Sequence, residues 1–316
     1  MDLIRRSSPW AQLFWLLTLF FTCYVVTSAL LWIIFPAISG GYTFTQINET
    51  AVWKDPSFVF AAKTMQFLFT LGAFLTPGLI FARLASPRPG AYLGLEGRSS
   101  FILVALALLI MLSALPMVGL LSEWNQLWPL PDVLAELEKD AKTQTEMILK
   151  MPDTASLVVN LVLIALAPAI AEEVLFRGVI QNLVLRMVKN GWVAVVITAL
   201  FFSFIHFQFL GFMPRALLGF LLGAIYLVTG NLWLSILAHF LNNGLQVVLV
   251  FLYQAKMSNY DAMADEHVPL YFGLLSTAVT GLLIWRLHKR AQENGYTYGL
   301  ADEYPDETIS TTEKEY

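Results

Sequence analysis

The chain has 316 residues, 57% of them hydrophobic and only 13% charged, with a formal net charge of −4. A soluble domain carries about 25% charged residues. Apolar runs of 18 or more residues recur along the whole length, so the composition points to an all-α, polytopic integral membrane bundle of about eight transmembrane helices. No basic cluster of nucleic-acid-binding type occurs. The single cysteine, Cys23, excludes an internal disulfide and any cysteine-based zinc site.

In chain order, the basic start MDLIRR precedes a first span at 10–35. Its apolar stretch is far longer than the roughly 7–15 residues of a secretory signal core, so it is read as a retained span. The polar loop SGGYTFTQINETAVWKDP leads to a second span at 57–84, and the Pro/Gly-rich turn SPRPGAYLGLEGRSS to a third at 101–121. The next segment, PDVLAELEKDAKTQTEMILK, breaks the pattern: Val133, Leu137 and Ala141 form one stripe among charges. That predicts an amphipathic, interfacial helix after Pro131, either a lid over a site or a plain connector. Further spans are expected at 156–188, 191–210, 213–229 and 231–252 and, after the polar linker QAKMSNYDAMADEH, at 268–287. The expected organisation is N-terminal spans with the amphipathic connector over 1–150, a core over 151–255, a last span within 256–290 and an acidic soluble tail over 291–316. Arg5, Arg6, Arg83, Arg88, Arg98, Arg186, Lys189, Arg286, Lys289 and Arg290 fall on alternate loops. With eight spans they share one side, which the positive-inside rule makes cytoplasmic together with both termini.

Within the fourth span, AEEVLFRG places Glu172, Glu173 and Arg177 in lipid-soluble sequence. Each such charge at mid-membrane costs about 2.5–3.5 kcal/mol before compensation. Glu173 and Arg177, four apart, share a helix face and can pair, which by itself is a packing device. Glu172 lies about 100° round the helix and is left unexplained by that pair. The fifth span carries FFSFIHF with His206, and the seventh AHFLNNG with His239 and Asn243 four apart; Asn242 is directed elsewhere. Each of these alone reads as an interhelical hydrogen-bonding residue. Together, a carboxylate, two imidazoles and an amide on three helices are the groups needed to activate a water and hold an oxyanion. Pro168 loosens the helix just before the glutamates. His267 and His288, in a linker and at a helix end, read as solvated.

These residues resemble a family. EEVLFR fits a Glu-Glu-x-x-x-Arg motif, FSFIH fits Phe-x-x-x-His and HFLNN fits His-x-x-x-Asn, in the order found in type II CAAX prenyl endopeptidases, whose bacterial members are called CPBP family intramembrane metalloproteases. The resemblance covers about residues 155–255, and YLGLEGR is also similar to family members. It implies an intramembrane endopeptidase of a bacterial plasma membrane, acting on a membrane-associated protein or peptide at the lipid bilayer, with no nucleic acid partner. In eukaryotic relatives the substrate is a prenylated C-terminus; nothing in this sequence marks a prenyl pocket.

Two versions of the chemistry follow from the resemblance. In the preferred one no cofactor is required: Glu172 is the general base on a water also held by His206, His239 and Asn243 stabilise the oxyanion, and Glu173–Arg177 orients the site. In the other, zinc is bound by Glu172, His206 and His239 with Glu173 as base, although the chain lacks His-Glu-x-x-His. Two further readings stay open: a non-catalytic membrane scaffold, and a proton-coupled transporter. The transporter is disfavoured because the first and third spans have no titratable relay in their cores.

Overall fold

A computed structural model describes residues 2–97, 99–263 and 267–296. Arg98 and most of the expected acidic tail, 297–316, lie outside the described residues. Among the described residues there is helix and no strand.

Nine helices carry the architecture: α1 Pro9–Ile38, α2 Pro56–Ala85, α3 Phe101–Gln126, α4 Asp132–Ile148, α5 Thr154–Val188, α6 Gly191–Phe204, α7 Phe212–Thr229, α8 Leu232–Gln254 and α9 Leu270–Glu293. Seven of them are long and apolar enough to cross a membrane: α1, α2, α3, α5, α7 with the short turn before it, α8 and α9. The expected fifth span is shorter than the hydropathy pattern implies. Helix α6 has 14 residues, about 21 Å at 1.5 Å per residue, against a hydrocarbon core of about 30 Å. It stops at Phe204 because Phe207 takes a left-handed conformation, φ 51°, which an α-helix cannot continue through.

The chain nevertheless alternates between the two ends of the bundle. At one end, the short helix Pro89–Leu93 meets the α7–α8 turn, where Leu232 N donates to Gly94 O at 2.9 Å. At the other, the loop after α6 reaches the end of α3, where Asn125 Nδ2 donates to Phe209 O at 3.0 Å and Asn125 Oδ1 accepts from Met213 N at 2.7 Å. Helix starts are set by ordinary capping: Ser8, Asp55, Ser100, Asp153 and Asn190 side chains each accept from a backbone N–H of the following turn. The Ser156 backbone N–H and then its hydroxyl hold the Asp153 carboxyl below the usual carboxylate range.

Helix α5 is the axis of the fold. It packs on α2, where Gly78 removes the side chain that would meet Val174 Cγ1 at 3.0 Å, and on α6, α7 and α8. Its Phe176 and Leu183 share one core cluster with Phe81 of α2 and Phe202 of α6. A second cluster joins α3, α7, α8 and α9. There Ser276 and Thr280 of α9 bond to Ser113 of α3. The apolar side chains of α1 and α9 face outward, with Ile33 76% and Leu270 63% exposed, as a lipid-facing ring requires.

Two segments of α5 are π-helical, Leu161–Leu166 and Phe176–Gln181, bracketing the α-helical Ala167–Leu175 that carries both glutamates. A third lies at Thr70–Leu75 of α2 and packs on that same segment. Such insertions gather at functional sites.

Candidate active site

The pair read from spacing forms. Arg177 Nη1 donates to Glu173 Oε1 at 2.8 Å with both side chains fully buried. The arginine is held on three sides: Nη2 donates to Gly219 O of α7 at 3.0 Å, and the guanidinium lies 4.8 Å above the Phe202 ring. Glycine at 219 eases this approach, since a Cβ there would stand 3.1 Å from Phe202 Cδ1 and 3.3 Å from Ala199 Cα. One turn on, Gln181 Nε2 donates to Gly223 O at 3.0 Å. The result is a two-rung ladder from α5 onto α7 carbonyls.

His239 joins the two glutamates. Its Nδ1 donates to Glu173 Oε1 at 2.9 Å, while its Nε2 stands 3.9 Å from Glu172 Oε2. That second distance is too long for a direct hydrogen bond. Glu172 is the one carboxylate of the pair that reaches a surface, its side chain 16% exposed against 0% for Glu173. Glu173 Oε1 thus receives two donors, and its Oε2, buried, receives none.

His206 is near this cluster but not on a helix, in contrast to the expectation from the 191–210 span. It lies in the turn after α6, its Nδ1 2.7 Å from Phe202 O. A carbonyl only accepts, so Nδ1 carries the proton and Nε2 is the open nitrogen. Phe202 ties the two histidines: its ring meets His206 edge-on at 4.9 Å and His239 at 6.3 Å between centroids.

Asn243 bonds to the backbone of α5 rather than to the glutamates or histidines. Its Nδ2 donates to Ile164 O at 3.3 Å, the carbonyl four residues before Pro168, which has no N–H to offer it. Asn242, expected to be directed elsewhere, donates from Nδ2 to Asn243 Oδ1 at 3.1 Å and is itself buried. Of the remaining histidines, His267 is exposed and bonded to Glu123 at 2.8 Å. His288, expected to be solvated, is partly buried, with Nδ1 shielded and without a partner.

Arg215, in the first turn of α7, was not singled out from the sequence. It donates from Nη1 to Gln208 O at 3.2 Å and from Nη2 to Gln208 Oε1 at 2.7 Å, within electrostatic reach of Glu172 and His206. Helix α4 stands over this loop: Glu138 Oε1 accepts from Leu210 N at 3.0 Å.

Both histidines turn Nδ1 to an oxygen and leave Nε2 free, the orientation of metal-bound imidazoles. The set does not converge, however: among the described residues no three His, Cys, Asp or Glu side chains gather closely enough to hold an ion.

Residues 154–245 match the type II CAAX prenyl endopeptidase Rce1-like family. That range contains Glu172, Glu173, Arg177, His206, His239 and Asn243, so the similarity takes in the whole candidate site, and the seven long apolar helices make the chain an integral membrane protein. A curated relative, "Uncharacterized protein YpbD" of Bacillus subtilis (strain 168), is 31% identical over 113 residues, covering 34% of this chain and 53% of the relative. The chain therefore spans about half the length of that relative. No solved structure gives a significant match.

Proposed function

We propose that this chain is an intramembrane endopeptidase that hydrolyses a peptide bond of a membrane-associated protein or peptide, with water activated by a glutamate. The observation that carries the reading is His239 set between a sealed carboxylate, Glu173, and a partly open one, Glu172. A structural ion pair alone accounts for Glu173 and Arg177. It gives no reason for a second carboxylate facing the far nitrogen of the same imidazole.

The chemistry follows from those positions. Glu172 takes a proton from a water that His206 Nε2 helps to hold, and the water oxygen attacks the scissile carbonyl carbon. Negative charge moves to the carbonyl oxygen. Glu173 holds Nδ1 of His239, and a proton on Nε2 lets the ring donate to that charge. Collapse of the intermediate breaks the C–N bond, and the proton held by Glu172 passes to the leaving amine. Arg177 keeps Glu173 fixed. Asn243 contributes as a donor to the oxyanion once substrate displaces its bond to Ile164 O. No metal is required in this reading.

Glu172→Gln keeps shape and hydrogen bonding but cannot accept the proton, so cleavage should fall by about 10²–10⁴-fold with thermal unfolding in detergent unchanged. Membrane-tethered peptides, and proteomic comparison of wild-type and Glu172→Gln cells, supply the assay. Full cleavage by Glu172→Gln removes it as the base; a silent Glu173→Gln with active Glu172→Gln exchanges the two roles. Elemental analysis of active protein checks the metal-free reading, which one zinc per chain, lost together with activity on chelation, would overturn.

A further inference from the structure

The two ends of the bundle differ sharply in charge. The segments 2–8, 83–97, 186–190 and 286–296 meet at one end and hold nine Lys/Arg against three Asp/Glu. The segments 39–55, 123–153, 205–215 and 255–263 meet at the other and hold five lysines, one arginine and ten Asp/Glu. The positive-inside rule counts Lys and Arg close to the spans in short loops, and by that count the first end faces the cytoplasm.

The candidate site is closed toward that basic end. From Glu173, successive turns of α5 bring Arg177 and then Gln181, 0% and 2% exposed, each tied to an α7 carbonyl. Beyond them Leu93 presses on Gly178, its Cδ2 only 2.6 Å from where a Cβ would be. Leu183 and Tyr226 complete the seal, and Tyr226 OH donates to Leu93 O at 3.3 Å. No polar side chain on this path is exposed.

Toward the acidic end the arrangement reverses. Glu172 is the open member of its pair, His206, Gln208 and Arg215 are partly exposed, and Phe207 is 64% exposed. Helix α4, which reaches this loop through Glu138, has no fully buried residue. Its N-terminal part is held by polar bonds: Glu138 to Leu210 N, partly buried, and the exposed Asp140 to Asn48 Nδ2 at 2.9 Å and Gln144 Nε2 to Asn48 Oδ1 at 2.7 Å. Met147 and Ile148 at its end pack on the cluster around Phe58. A path of ionisable and amide groups therefore runs from Glu172 to the acidic face, beneath the mostly polar part of α4.

We infer that the site is served from the acidic end, that this end faces away from the cytoplasm, and that the substrates are segments of membrane-anchored proteins displayed on the outer side of the membrane. The substrate class rests on the protease reading; the sidedness of the site does not.

Cysteine labelling tests the sidedness without any assay of activity. In a Cys23→Ser background, Phe207→Cys beside His206 and Glu136→Cys on α4 should react with a membrane-impermeant maleimide in intact cells. Ala91→Cys, at an exposed position of the short helix at the basic end, should react only in inverted membranes. Glu136→Cys keeps the test decisive if Phe207→Cys does not fold. Labelling of Phe207→Cys or Glu136→Cys in inverted membranes alone overturns the inference. A second arm presents one membrane-anchored peptide on either face of vesicles holding oriented protein. Cleavage of the outer-face peptide only, abolished in Glu172→Gln, supports the inference, and cleavage of the inner-face peptide only overturns it. If neither peptide is cut while Phe207→Cys labels from outside, the sidedness holds and the protease reading fails.

Discussion

Two charged helical segments of this molecule, 173–181 of α5 and 132–148 of α4, carry similar residues in opposite physical states. In α5, Glu173, Arg177 and Gln181 repeat every four residues in an apolar host, and all are buried. In α4, acidic and basic residues alternate on a helix with nothing buried, and its apolar stripe is open, Val133 at 71% and Leu137 at 53% exposed. In the first, each side chain must find a partner within the protein, and Glu173 Oε2, Arg177 Nε and Gln181 Oε1 still go without one; in the second, water does most of that work. The contrast shows why the spacing of charges has meaning only with the polarity of the residues between them. It also separates a fully buried centre from a cover that packs only at its end, through Met147 and Ile148.

The sharpest way to break that comparison is Arg177→Ala. It leaves the Glu173 carboxylate buried beside His239 without its cation, and removal of one partner of a buried pair costs about 3–5 kcal/mol. Thermal unfolding in detergent should drop steeply and cleavage should vanish with it. A variant that stays as stable as wild type would show that Glu173 does not depend on this pair.

Asn243→Ala comes next. The loss of its bond to Ile164 O should cost about 1 kcal/mol of stability. Loss of an oxyanion donor should lower turnover by about 10²–10³-fold, with substrate binding little changed. A stability loss with turnover intact would confine Asn243 to bracing the helix at Pro168.

The direct contrast is a pair of substitutions, Gln181→Leu and Glu138→Ala, compared in the same unfolding assay. Gln181→Leu removes a buried rung onto Gly223 O and should cost about 1 kcal/mol. Glu138→Ala acts on the surface cover and should stay within about 0.5 kcal/mol. Equal losses would mean that α4 is as firmly built in as the centre.

The smallest effect is expected at Asp153. Its carboxyl is held below the usual range by the Ser156 backbone N–H and hydroxyl, so the ionised form stabilises the fold above the ordinary carboxylate pKa. That contribution is lost as pH falls through the lowered value. The stability gap between wild type and Asp153→Asn, measured across pH, should be present at neutrality and close on acidification.

Much of this was legible in the sequence because a charge in an apolar run is expensive enough to demand a partner. The Glu173–Arg177 pair follows from that, while the helical class follows from the long apolar runs and the amphipathic helix after Pro131 from the stripe of Val133, Leu137 and Ala141. The shortened α6 was not legible, since FFSFIHF reads as apolar through a turn that a single positive φ at Phe207 creates. Phe202 counted only as a spacing marker, yet its ring bears Arg177 and meets both histidines. Gln181, Gly219 and Gly223 were within reach of the same four-residue rule, which places Gln181 in series with Arg177 and the two glycines opposite them. The diversion of Asn243 to Ile164 O could not be read, because it depends on where two helices cross at a missing N–H.

The π-helical turns at either side of Ala167–Leu175 give α5 the character of a screw with two adjustments of pitch. Each holds one residue more than an α-turn would, so excision of a single residue from Leu161–Leu166 or Phe176–Gln181 would leave a continuous helix. It would also turn everything on one side of the cut by about 100° relative to the other. Glu172 and Glu173 sit between the two, so their aim toward α8 is indexed separately from the lipid-facing side chains above and from the Arg177–Gln181 ladder below. Point substitutions change what these side chains are; one-residue deletions would change where they face, with composition and hydropathy almost untouched.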